Sequence, residues 1–114
     1  MILEAITDNR TMTKTIFLIA VLHGPDDLSP GGRKRTWGWY EKFADAEEVV
    51  LLNQTDIFEN GYYDMAVIEE MPEGVLAVEE NSWWYRATYT KDSLTVEKTE
   101  RPEKFQQTVC LTIG

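Results

Sequence analysis

The chain has 114 residues, of which 43% are hydrophobic and 27% charged, and its formal net charge is −9. That length suits one domain with one core, and the composition is that of an ordinary globular protein rather than a disordered, fibrous or membrane-spanning one. A single cysteine, Cys110, excludes an internal disulfide, so a reducing compartment and a cytoplasmic location are expected.

Charge is unevenly placed. Residues 41–80 hold twelve acids against one base, Lys42, whereas the flanking stretches each carry +1. Such a field repels phosphate backbones, so direct nucleic-acid binding is not expected and basic partners, or none, are favoured.

Met1 to Met12 is polar and without a period. It reads either as a loose leader or as residues upstream of a true start at Met12, which leaves a single domain over residues 13–114. Thr15 to His23 (TIFLIAVLH) is continuously apolar up to its final histidine, as in a strand covered on both faces, and is expected to be the first and central strand. It is too short for a membrane helix, which needs ~20 apolar residues, and it lacks a signal-peptide cleavage site. Gly24 to Gly32 is dense in Pro, Asp, Ser and Gly and reads as an exposed loop. Lys34 to Tyr40 alternates as a second strand, with Arg35, Trp37 and Trp39 expected on one side.

Asp45 with Glu48 three residues later matches a helix N-cap and its N3 partner. The predicted helix continues through Ala46, Val49, Val50 and Leu52 to about Asn53, with Asp56 to Glu59 as an extension and Asn60-Gly61 as the stop. Tyr62 to Glu69 is the third strand, with Met65, Val67 and Tyr63 assigned inward, and Met71-Pro72-Glu73-Gly74 is a turn. Ser82 to Tyr89 and Ser93 to Glu97 form a hairpin around Thr90-Lys91-Asp92. Pro102 and Glu103 open a short C-terminal helix to about Thr108, followed by a last strand over Val109 to Ile113. The predicted class is α+β: an antiparallel sheet of four or five strands packed on one main helix.

The chemical inventory for catalysis is thin. His23 is the only histidine and Cys110 lies in an apolar segment. The acid pairs Glu69-Glu70 and Glu79-Glu80 read as solvated charge, and no phosphate loop, CxxC or HExxH motif is present. No catalytic residue, metal ligand or cofactor is therefore assigned. Aromatic residues are the informative feature, because a domain this small cannot easily enclose four indoles and five phenols. Adjacent Trp83 and Trp84 must point opposite ways in a strand. Arg33, Lys34 and Arg35 form a basic cluster leading into Trp37 and Trp39, which suits either an edge strand or an anion clamp.

The run Arg35-Thr36-Trp37-Gly38-Trp39-Tyr40, followed by Asp56-Ile57-Phe58-Glu59, Gly61-Tyr62-Tyr63, Ala66-Val67-Ile68-Glu69-Glu70 and Trp84-Tyr85, resembles a set of small uncharacterised bacterial proteins. The likeness covers residues 14–114 and implies a shared fold without an assigned activity.

The leading expectation is a non-enzymatic binding or adaptor module for a protein partner. Its aromatic surface or shallow cleft would be formed near Arg35, Trp37, Trp39, Tyr62, Tyr63 and Trp84. Homodimerisation is compatible with exposed tryptophan. One alternative is an acidic decoy whose carboxylates mimic phosphates on a nucleic-acid-binding protein. The other is a small enzyme or sensor for a compact anion, using Arg33, Arg35 and His23.

Overall fold

The computed structural model describes residues 15–23, 34–72 and 81–102. Five antiparallel strands form one sheet: β1 (Thr15–Leu22), β2 (Lys34–Tyr40), β3 (Met65–Pro72), β4 (Asn81–Thr90) and β5 (Ser93–Thr99). They lie in the order β2-β1-β3-β4-β5, so β3 and not β1 occupies the centre. One helix, α1 (Phe43–Leu51), packs on the sheet, and a 3-10 turn at Gln54–Asp56 follows it. The architecture is α+β, as the hydrophobic periodicities predict. The expected helix beyond Pro102, the strand over Val109 to Ile113, the Gly24 to Gly32 loop and the leader lie outside the described residues.

Strand β1 is apolar on both faces because it lies inside the sheet. Ile19 and Val21 join the core under α1, while Ala20 and Leu22 form a second cluster with Met65, Val67 and Trp84 on the opposite face. Strand β3 behaves alike: Ala66 and Ile68 face the helix, and Met65 and Val67 face away. Both sets are inward in the sense that both are buried. Tyr63 precedes the strand and joins the helix-side cluster, not the Met65 side. Met71 and Pro72, expected in a turn, complete β3, where Pro72 and Met71 lie opposite Thr15 and Ile16. Glu69 is fully buried rather than solvated, because it sits between Leu18 and Ser82 in the middle of the sheet. Glu70 accepts a hydrogen bond from Asn81 Nδ2 at 2.7 Å.

The helix starts two residues before the expected cap. Lys42 holds the N-cap position in an extended conformation without a side-chain cap bond, and its carbonyl accepts from the Ala46 amide at 3.3 Å. Phe43 explains the shift. Its ring packs edge-on to Phe17 at 5.8 Å and tilts against Trp83 at 4.5 Å, so tertiary docking of that ring sets the entry point. Asp45 then lies in the first turn, where a carboxylate still favours the positive end of the helix dipole. Ala46, Val49 and Val50 form the buried stripe, whereas Leu52, expected to belong to it, is 65% exposed. At 100° per residue Leu52 lies far round the helix from that stripe.

After α1 the chain turns back into the core. Ile57 and Phe58 are fully buried, and the turn that returns them uses left-handed backbone at Asn53, Thr55, Asp56, Glu59, Asn60 and Gly61. Side chains hold this geometry: Asn53 Oδ1 accepts from the Phe58 amide at 3.1 Å and Asp56 Oδ1 from the Asn60 amide at 2.9 Å. A β-branched residue such as Thr55 rarely adopts a positive φ, so the turn stores backbone strain that burial of Ile57 and Phe58 offsets.

Candidate functional site

Among the described residues strand β2 is an edge of the sheet, and none of its side chains is fully buried. Its pairing with β1 slips by one residue: Ile19 faces Gly38, but Ala20 faces Thr36. Trp37 is the extra residue of this bulge, which reverses the alternation of side chains along the strand. Trp37 therefore packs toward the helix-side core, while Trp39 pairs with Leu18 and lies on the opposite face. The expectation that Arg35, Trp37 and Trp39 share one side is corrected by the bulge. A strict period of two cannot anticipate an inserted residue.

The six candidate residues accordingly separate. Arg35 donates to Glu59 Oε2 at 2.7 Å and places its guanidinium 5.7 Å from the Trp37 ring centroid. This contact ties the edge strand to the strained turn. Tyr62 is 47% exposed and stands edge-on to His23 at 4.8 Å and to Tyr63 at 4.9 Å. Tyr63 is buried beneath it. Trp84 is buried on the far face, where its indole Nε1 donates to Ser82 Oγ at 3.1 Å and the Arg101 guanidinium lies 5.4 Å from its ring. Trp39 is the most exposed of the four tryptophans, at 56%, whereas Trp37 and Trp83 are partly buried. Arg35, Trp37 and Tyr62 thus lie on the helix side of the sheet, Trp39 lies across it, and Tyr63 and Trp84 serve the core.

Electrostatics links the helix to the sheet at one further point. Tyr85 is fully buried and donates its hydroxyl to Glu47 Oε2 at 2.8 Å, and Lys98 Nζ reaches the same oxygen at 3.2 Å. Burial first, then the hydrogen bond and the charge of Glu47, push the Tyr85 phenol well above its ordinary range. The phenol stays protonated and acts as a donor. Tyr89 is also raised, by desolvation and then by the nearby Asp56 carboxylate, and its ring covers Gly61.

The described acids of residues 41–80 divide by task. Glu69 is buried, and Glu47, Glu59 and Glu70 bind groups of the protein itself. Asp45 is exposed on the first turn of α1, and the exposed Glu48 and Asp56 accept hydrogen bonds from Gln54 and from the Asn60 amide. Among the described residues no group of three or more His, Cys, Asp or Glu is arranged to hold a metal ion. Nor is any described helix long and apolar enough to cross a membrane. Leu51, which the sequence reading does not single out, and Leu52, which it assigns to the apolar stripe, are both exposed; at 100° per residue both depart from the Ala46, Val49 and Val50 stripe. Compared with protein-family models, with curated proteins and with solved structures, the chain matches none.

Proposed function

We propose that the protein is a non-enzymatic binding or adaptor module that engages a protein partner through edge strand β2, with Trp39 as its anchoring side chain. A single observation carries this reading: an indole left 56% exposed on an edge strand of a sheet whose inner strands bury both faces. Covering the remaining indole surface stabilises a complex by on the order of 3 kcal/mol, which is the scale of an interface hot spot. Arg35 lies on the same edge but the other face, and contributes charge at the rim. The acidic flank supplied by α1 favours encounter with basic surfaces.

The test compares wild type with Trp39→Ala in affinity capture from the native host, read by mass spectrometry at low and high salt, alongside thermal melting of each. A partner retained by wild type and lost by the variant, at an unchanged melting temperature, is the expected result. Identical captured sets would remove Trp39 as the anchor. Sedimentation of the purified chain over a concentration series identifies a second copy as the partner if Trp39→Ala abolishes a dimer.

A further inference from the structure

The outward face of α1 departs from the usual polar face of a surface helix. Ala46, Val49 and Val50 point to the sheet, the opposite side presents Ala44, Asp45, Glu48 and Leu51 to solvent, and Leu52 follows at the C-cap. Leu52 is 65% and Leu51 38% exposed. An ordinary amphipathic helix keeps large apolar side chains off this side, whereas here two adjacent leucines at the C-terminal end of α1 stand in solvent away from the sheet. Carboxylates flank them. Glu48 lies one turn before the leucines and Asp45 in the first turn of the same side, Asp56 closes the 3-10 turn that follows, and Gln54 Nε2 orients Glu48 by a hydrogen bond of 3.3 Å to its Oε1.

This pairing of exposed leucine with a one-sign frame selects among occupants. A second copy of the chain docked through the same face would set Asp45 and Glu48 against their own equivalents, and like charges brought together at an interface are repulsive. A polypeptide with lysine or arginine around an apolar anchor fits both features at once. We infer that the outer face of α1 is a docking surface for a basic amphipathic segment of a partner protein, with Leu51 and Leu52 receiving its apolar side chains and Asp45, Glu48 and Asp56 its cations. Trp39 lies on the other face of the sheet from α1, so the two surfaces are separate and can be occupied together.

The probe is a synthetic amphipathic peptide of leucine and lysine at helical spacing, with a leucine-glutamate counterpart as control. Titration into the full chain, labelled with nitrogen-15, reads which amides shift, and fluorescence anisotropy of labelled peptide reads affinity. The lysine peptide is expected to shift amides of residues 44–56 and to bind more weakly as salt rises, and the glutamate peptide to do neither. Leu51→Ser with Leu52→Ser, and separately Asp45→Lys with Glu48→Lys, should each weaken binding at least about tenfold. These side chains are exposed, and circular dichroism checks that both variants fold. Unchanged affinity in the double-serine variant, or shifts spread over the whole chain, would leave only the general attraction of an acidic protein for a polycation and overturn the proposal. A dimer broken by Leu52→Ser would assign the face to a second copy and overturn it equally. Trp39→Ala should bind the lysine peptide as wild type does; its loss there would show the surfaces are not separate, whereas failure of the Trp39 reading leaves this measurement untouched.

Discussion

Central strand β3 and edge strand β2 both carry large apolar side chains, yet they meet opposite fates. Met65, Ala66, Val67 and Ile68 are all fully buried in consecutive positions, while Trp39 in β2 stays largely in water. Hydrophobicity does not separate them, since tryptophan is the largest of these side chains. Position does. A strand with neighbours on both sides is covered by their side chains, whereas an edge strand has neighbours on one side only, and the bulge at Trp37 then turns Trp39 away from the helix-side core. Apolar surface at the centre of the sheet holds the fold together, and apolar surface at its edge stays in water, where the proposed reading assigns it to recognition.

Four substitutions test that contrast. The largest effect is expected from Ile68→Ala, which opens a cavity between Ile19 and Trp83 and should cost ~2–5 kcal/mol in urea unfolding. If this loss were no greater than that of Trp39→Ala, the distinction between centre and edge would fail.

Tyr85→Phe comes next, at ~1.5–3 kcal/mol, because it removes a buried hydrogen bond to a carboxylate while keeping the ring. Its pH dependence sharpens the point. The folded phenol is raised above its unfolded value, so its contribution is complete below about pH 10 and declines as pH rises further, since the unfolded chain releases the proton first. Wild-type urea midpoints should therefore fall more steeply above that pH than those of Tyr85→Phe. Equal slopes would show that the Tyr85 phenol, buried and bonded to Glu47, adds nothing to the pH dependence of stability.

Gly61→Ala is expected to cost ~1–2 kcal/mol, measured by thermal melting. Gly61 has φ +91°, and a Cβ there would approach the Tyr89 ring to 3.0 Å. A neutral result would mean that the strained turn relaxes freely. Smallest is Trp39→Ala, expected to alter stability by less than ~1 kcal/mol because more than half of the residue is already hydrated. A large loss would make Trp39 a structural residue and leave the edge without its proposed anchor.

Much of the architecture was legible beforehand because it rests on local signals. Lys34 to Tyr40 reads as a strand from its alternation, and the β4–β5 hairpin follows from two alternating runs around Lys91-Asp92. Trp83 and Trp84 had to diverge, and they do, one into each core. The candidate site was less legible. Residue type marks Arg35, Trp37, Trp39, Tyr62, Tyr63 and Trp84 as candidates, but burial of Tyr63 and Trp84 and the reversal at Trp37 depend on which strand lies beside which.

Sequence alone therefore determined the order of the five strands and the one main helix among the described residues, that some aromatic surface must remain in water, and that negative charge concentrates in the middle of the chain. These follow from periodicity and composition, which need no knowledge of distant neighbours. Tertiary structure decided the central place of β3, the burial of Glu69, the early helix start at Phe43, the bulge that parts Trp37 from Trp39, and the outward leucines of α1. Each of these is set by contacts between segments far apart in the chain, where ring packing and strand pairing outweigh local preference.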